Sequence, residues 1–179
     1  MVKITVSGHP GSGTSTLVNK LVQSNSWTSL NGGDVFRSEA KNRGMSLADF
    51  GELCKSDLQV DKELDNLLKE KMSGDNSIDI VESRLAGWWA YLLDIDCVRL
   101  WIDVSDEERA QRVVAREGGT VSQALEANAK RSAIDAARFS QLYDILPQDL
   151  EAYTHVVDAG EMSIDEVFSA VTVILEDFN

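Results

Sequence analysis

The sequence predicts an α/β fold built on a parallel sheet, and two observations carry that expectation. Short β-branched or alternating runs are separated throughout by stretches with helical spacing, the pattern of strands joined by right-handed crossover helices. The first such pair, a strand over Val2–Ser7 and a helix over Ser15–Gln23, is joined by the glycine-rich segment Gly8-His9-Pro10-Gly11-Ser12-Gly13-Thr14-Ser15.

The elements follow in order. Val2–Ser7 alternates apolar and polar residues and reads as a strand. Leu17, Val18, Leu21 and Val22 give the first helix its apolar side. Trp27–Leu30 is a short apolar run before Asn31-Gly32-Gly33, which reads as a turn. Asp34 is the expected cap of a helix running to about Arg43, and Gly44 stops it. Ser46 with Asp49 opens a helix toward Cys54. Asp57–Met72 is a third helical run, with Leu58, Leu64, Leu67 and Leu68 on one side. Strands are predicted at Ser77–Glu82, Val98–Val104 and His155–Asp158. Ser105 with Glu108 caps a helix reaching Arg116, and Gly118-Gly119 breaks it. Thr120 with Gln123 starts a long helix to about Leu142, and Ser163 with Glu166 caps the terminal helix. Residues 34–72 are helix after helix and read as an insertion between two strands.

The glycine-rich segment fits the phosphate-binding loop pattern G-x-x-x-x-G-K-[ST], with Gly8, Gly13 and Ser15 in register and Thr14 in the lysine position. Strand, loop and helix in that order are the context the pattern requires. Glycines let the backbone approach an anion, successive N–H groups converge on phosphate oxygens, and the helix N-terminus adds partial positive charge. Ser15 would present its hydroxyl to Mg²⁺. The loop keeps its cradle but lacks the lysine charge. His9 is expected to be a surface residue facing solvent, without a catalytic role.

Composition narrows the class. A chain of 179 residues with 43% hydrophobic content suits one globular domain. No apolar stretch is long enough to span a bilayer. The first residues form a strand rather than a secretion signal, so a cytoplasmic location is expected. A net charge of -13 argues against a nucleic-acid partner, which needs a basic surface. Cys54 and Cys97 match no metal spacing and read as two buried thiols.

In parallel sheets ligands bind beyond the carboxyl ends of the strands, so charge at those ends is informative. Glu82-Ser83-Arg84 follows one strand. Its carboxylate can hold a water of Mg²⁺ and its arginine can clamp a phosphate. Arg37, one turn into the helix after Asn31, can also reach a phosphate. Arg112 and Arg116 share a helix face, as do Arg131 and Arg138. One reading makes them partners in intrahelical ion pairs, such as Arg138 with Asp135. The other makes them a lid that closes over transferring phosphates, where arginine charge accelerates transfer by orders of magnitude.

The loop, the segments Asn31–Arg37, Arg43–Gly51 and Glu82–Trp88, and the helix from Arg131 to Arg138 with Phe139 and Tyr143 together resemble archaeal-type cytidylate kinase. In that group Thr14 is a match rather than a departure. The resemblance implies a three-layer α/β/α P-loop fold: a five-stranded parallel core (1–30, 77–112, 147–179), a monophosphate-binding insertion (about 31–76) and a lid (about 113–146). It implies transfer of the ATP γ-phosphoryl group to CMP or dCMP with Mg²⁺. Ser7 to Ser15 would hold ATP, with Arg112 near its adenine and Gly160, in Asp158-Ala159-Gly160, beside it. Arg37, Arg84 and Asp34 would hold CMP, and Arg116, Arg131 and Arg138 would contact the transferring group. The group usually has glycine where this chain has Ser83, which adds a Cβ beside the clamp. A monomer is the simplest state for a domain that opens and closes. The rival readings are another small-molecule kinase of this fold, such as an adenylate kinase, and a nucleotide sensor without transfer. A structural or interaction role rests only on the pair Trp88-Trp89, which is expected to pack against the core instead.

Overall fold

A computed structural model describes residues 1–74 and 78–178. Five parallel strands, β1 (Ile4–Gly8), β2 (Ser29–Asn31), β3 (Ile80–Glu82), β4 (Val98–Asp103) and β5 (His155–Asp158), form one sheet in the order β2-β3-β1-β4-β5. The register sets Val6 beside both Glu82 and Leu100, and Gly8 beside Ile102. The end of β1 therefore opens into its loop flanked by the ends of β3 and β4.

Alternation along the strands divides the core. Ile4, Val6, Leu100 and Ile102 pack with Leu17 and Leu21 of α1 (Thr14–Asn25) and Val167 and Val171 of α8 (Ile164–Phe178). Val81 and Trp101 belong to the other face. They pack with Trp89 of α5 (Ala86–Leu92), Leu68 of α4 (Leu58–Ser73) and Phe139 of α7 (Val121–Tyr143). The tryptophan pair is buried as expected, with Trp88 at 8% and Trp89 at 1% exposure. A third cluster, Ala40, Phe50, Cys54 and Val60, joins α2 (Gly32–Asn42), α3 (Leu47–Ser56) and α4. The inserted helices thus carry a small core of their own. Both cysteines are free and buried.

Several elements begin where the caps predicted. Ser46, Ser105 and Thr120 each accept a backbone N–H at a helix start, and Asp57, expected as the first residue of its helix, is instead its cap. Gly44 follows α2 with a positive φ. The segment 27–34 differs from expectation. Ser29–Asn31 is a strand, and Asn31-Gly32-Gly33 is not a turn: Asn31 caps α2 by accepting from the Gly33 N–H at 2.6 Å. Asp34 lies inside the first turn, where its charge still favours the helix N-terminus. An Asn side chain caps as well as Asp, and pairing of Leu30 with Val81 selected the earlier start. The strand predicted over 77–82 is shorter, Ile80–Glu82; its first predicted residue, Ser77, lies outside the described residues. No helix is long and apolar enough to cross a membrane among the described residues.

Trp89 stacks edge-on against Tyr143 at 4.9 Å and lies 3.8 Å below the Lys69 ammonium, so it joins α5, α7 and α4. Trp89→Ala is expected to lower unfolding free energy by about 3–5 kcal/mol, read as a lower urea midpoint at unchanged slope.

Candidate active site

The loop between β1 and α1 takes its shape from its glycines. Gly11 and Gly13 have φ of +86° and +90°, a conformation that side chains disfavour. At Gly8 a Cβ would fall 2.4 Å from Ser12 Oγ and 3.0 Å from the Ile102 carbonyl.

The residue in the lysine position is tied to the end of β3. Thr14 is 9% exposed, and its hydroxyl donates to Glu82 Oε1 at 2.8 Å. Ser15 Oγ donates to the same oxygen at 2.6 Å, and Asn31 Nδ2 donates to Oε2 at 2.8 Å. Glu82 reaches all three because β3 lies beside β1 in register. A hydroxyl and a carboxylate in contact are the hard oxygen donors that suit Mg²⁺.

A cavity of about 560 Å³ runs from this loop to the inserted helices, and Arg84, Arg116, Arg131 and Arg138 line it. Arg84 donates to the Gly8 carbonyl at 3.2 Å and pairs with Asp135 at 3.1 Å. Burial lowers its pKa, and Asp135 opposes that effect. Arg138 pairs with Asp61 at 3.1 Å, reaches Asp135 at 3.5 Å and lies over the Phe139 ring. The intrahelical pairing of Arg138 with Asp135 is therefore present, but a contact to α4 is shorter. Arg116 pairs with its neighbour Glu117 and stays exposed. Arg37 does not line the cavity. It pairs with Asp34 on the exposed face of α2, beside Gly33 at the rim. Ser83 sets its Cβ against Gly32, 3.1 Å from where a Cβ on that glycine would lie.

A second cavity, of about 340 Å³, lies on the other side of the loop between α1, α6 (Asp106–Glu117) and α8. Arg112 forms its wall and is held in place by the carbonyls of Ser12, Ala159 and Gly160 and by Glu108. Gly160 itself donates to Asp158 Oδ1 at 3.0 Å.

His9 does not simply face solvent. Its ring meets Trp101 edge-on at 5.1 Å, and burial, then Arg109 and Arg84, lower its pKa. The extended strand β4 brings Trp101 under the loop, a contact no local pattern announces.

Three site residues were missed in the sequence. Asp61 and Asp65 line the large cavity from α4. They interrupt the apolar side marked by Leu64 and Leu68, and acids at that spacing were the available signal. Asp61 is 6% exposed, and burial raises its pKa against the pull of Arg138. Asp65 accepts from the Tyr143 hydroxyl at 2.8 Å, and burial raises its pKa to about 6. The third is Arg109, buried beneath the loop.

The family described as AAA domain matches residues 7–129. The cytidylate kinase of Methanocorpusculum labreanum is 37% identical over 171 residues, covering 95% of this chain and 94% of that one. The cytidylate kinases of Halobacterium salinarum and Pyrococcus furiosus are each 36% identical, covering 94% and 97% of this chain and 86% and 88% of theirs. The chain belongs to the cytidylate kinase family. Among solved structures, a protein of Eubacterium ventriosum described as uncharacterized superposes with a TM-score of 0.73 at 15% identity, covering 98% of this chain and 99% of that one. Shikimate kinase from Bacteroides thetaiotaomicron gives 0.63 at 13% identity, covering 98% of each chain. These two likenesses show a shared fold. Within the cytidylate kinase family frame, Thr14 and Glu82 occupy the phosphate-loop end of the cavity, and Asp61 and Asp65 its far wall.

Asp65 predicts a pH effect with a definite sign. Its folded pKa lies above the unfolded value, so its contribution to stability is full below about pH 4 and is lost as pH rises through about 6. Asn at this position can still accept from Tyr143 but cannot ionise. Asp65→Asn is therefore expected to gain on the parent steadily between about pH 4 and 6 and to hold that gain above, in urea titrations across this range.

Proposed function

We propose that this chain transfers the γ-phosphoryl group of ATP to CMP or dCMP, giving ADP and CDP or dCDP. One observation carries the reading: a single cavity joins the phosphate loop to Arg84, Arg131 and Arg138 and to the wall formed by α2 and α4. Donor and acceptor phosphates can meet there between arginines of different elements. Membership of the cytidylate kinase family supports the choice of acceptor.

The donor phosphates lie on the N–H groups of the loop and the N-terminus of α1. The second cavity, beside Arg112 and Gly160, takes the adenine. The acceptor phosphate lies against Arg84, with Arg37 closing from the rim and Asp34 orienting it. Ser15 and, through water, Glu82 would hold Mg²⁺, which when bound neutralises charge on the donor phosphates. The acceptor oxygen attacks in line, without a covalent intermediate. Arg116, Arg131 and Arg138 offset charge on the transferring group as the hairpin of α6 and α7 closes and excludes water. In this reading residues of about 31–76 form the acceptor lobe and those of about 113–146 the lid. The chain works as a cytoplasmic monomer and binds nucleotides rather than nucleic acid.

With ATP and Mg²⁺, CMP and dCMP are expected to be the best acceptors in an assay that also includes AMP, UMP and GMP. A preference for AMP would reassign the chain to an adenylate kinase activity, and transfer to none of them would leave a nucleotide sensor. Arg131→Ala is expected to lower kcat by on the order of 10³ while leaving ATP affinity nearly unchanged. Equal losses in both would make Arg131 a binding residue instead.

A further inference from the structure

We propose that Arg109 is a positioning residue for the donor phosphates: from behind the loop it orients the peptide groups of the cradle and supplies charge that the lysine position no longer provides. The inference rests on the reading of the loop as the site of a triphosphate donor.

Arg109 is 3% exposed on α6, and only part of its guanidinium is engaged within that helix, by Asp106. Nη1 donates to the Pro10 carbonyl at 2.9 Å, across 99 residues of sequence. Arg112, one turn further on, donates to the Ser12 carbonyl at 3.2 Å. Alternate carbonyls of the loop are thus tied to guanidinium groups of one helix face. The peptide bonds of the loop are trans, as are all those among the described residues, so each N–H points opposite to the carbonyl of its own peptide. Holding the Pro10 and Ser12 carbonyls toward α6 turns the N–H groups of Gly11 and Gly13 the other way. Both glycines line the large cavity, and both have the positive φ of an anion-binding nest.

The contact is tight on the loop side as well. A Cβ on Gly11 would lie 3.1 Å from the Arg109 carbonyl and 3.3 Å from Val113 Cγ2. The loop therefore rests on α6, with no layer between them. Asp106 pairs with Nη2 but is itself mostly exposed, so solvent screens its charge more than that of Arg109. Thr14 offers no such charge and is engaged with Glu82. Arg109 also belongs to the first helix of the hairpin that carries Arg116, so the same contact fixes where the hairpin starts relative to the cradle.

The test measures binding by calorimetry with two probes, ATP and inorganic tripolyphosphate, on the parent, Arg109→Met and Arg109→Lys. Arg109→Met is expected to weaken both probes by the same factor, about tenfold or more, with a native near-ultraviolet spectrum. Arg109→Lys, which keeps charge but cannot hold Pro10 and Asp106 together, is expected to lose severalfold for both. If the methionine variant does not fold, the lysine variant carries the test alone. ATP weakened with tripolyphosphate unaffected would place Arg109 with the base and overturn the proposal. So would unchanged ATP affinity in a folded variant. Neither probe involves the acceptor, so absence of transfer to CMP by the parent protein would fail the kinase reading while leaving this result to be judged separately.

Discussion

The carboxylate of Glu82 is the contact on which the site depends. It stands at the end of β3, is 8% exposed, and accepts from Thr14 and Ser15 on one oxygen and from Asn31 on the other. Those three donors begin α1 and α2, the helices of the phosphate loop and of the inserted lobe. One side chain therefore fixes how the phosphate-loop helix and the first inserted helix begin relative to one another. A buried carboxylate with all its bonds made is tolerable, but with one partner removed the cost of its desolvation is exposed.

The cavity also shows how an acidic chain accommodates arginines that are partly withdrawn from solvent. Arg84 and Arg138 are held by Asp135 and Asp61, whose side chains are largely buried. Partly buried guanidinium groups without counter-charges would carry a large desolvation cost, and these carboxylates offset it. The geometry between Arg138 and Asp61 is imperfect, since Arg138 Nε and Asp61 Oδ2 are close but not aligned as a hydrogen bond. A phosphate offers more oxygens and better alignment. Carboxylates that hold arginines loosely can yield them.

Legibility followed the range of the interaction. The strand-loop-helix at the N-terminus, the caps at Ser46, Ser105 and Thr120, and the break at Gly118 are set within a few residues, and local patterns found them. The start of α2 was misjudged because Asn31 and Asp34 are both good caps, and only pairing of β2 with β3 separates them. Arg131 and Arg138 were found through helical spacing and do line one cavity. Asp61 and Asp65 are hidden in a leucine-bearing helix, where helical spacing draws the eye to Leu64 and Leu68 beside them. Arg109 was passed over because its acid-rich helix start resembles a solvated surface.

The sequence by itself determined the α/β class, the phosphate loop, the order of the elements and the arginines that could serve phosphate, because periodicity, caps and glycine conformations are local properties of the chain. Only the tertiary structure decided which charges meet. Thr14 reaches Glu82 across 68 residues, Arg138 reaches Asp61 across 77, and Arg109 reaches Pro10 across 99. Those pairings depend on sheet order and on the packing of α4, α6 and α7, which bring distant side chains to the carboxyl ends of the strands. They turned a loop that looked short of one lysine into one that is held from outside by arginines.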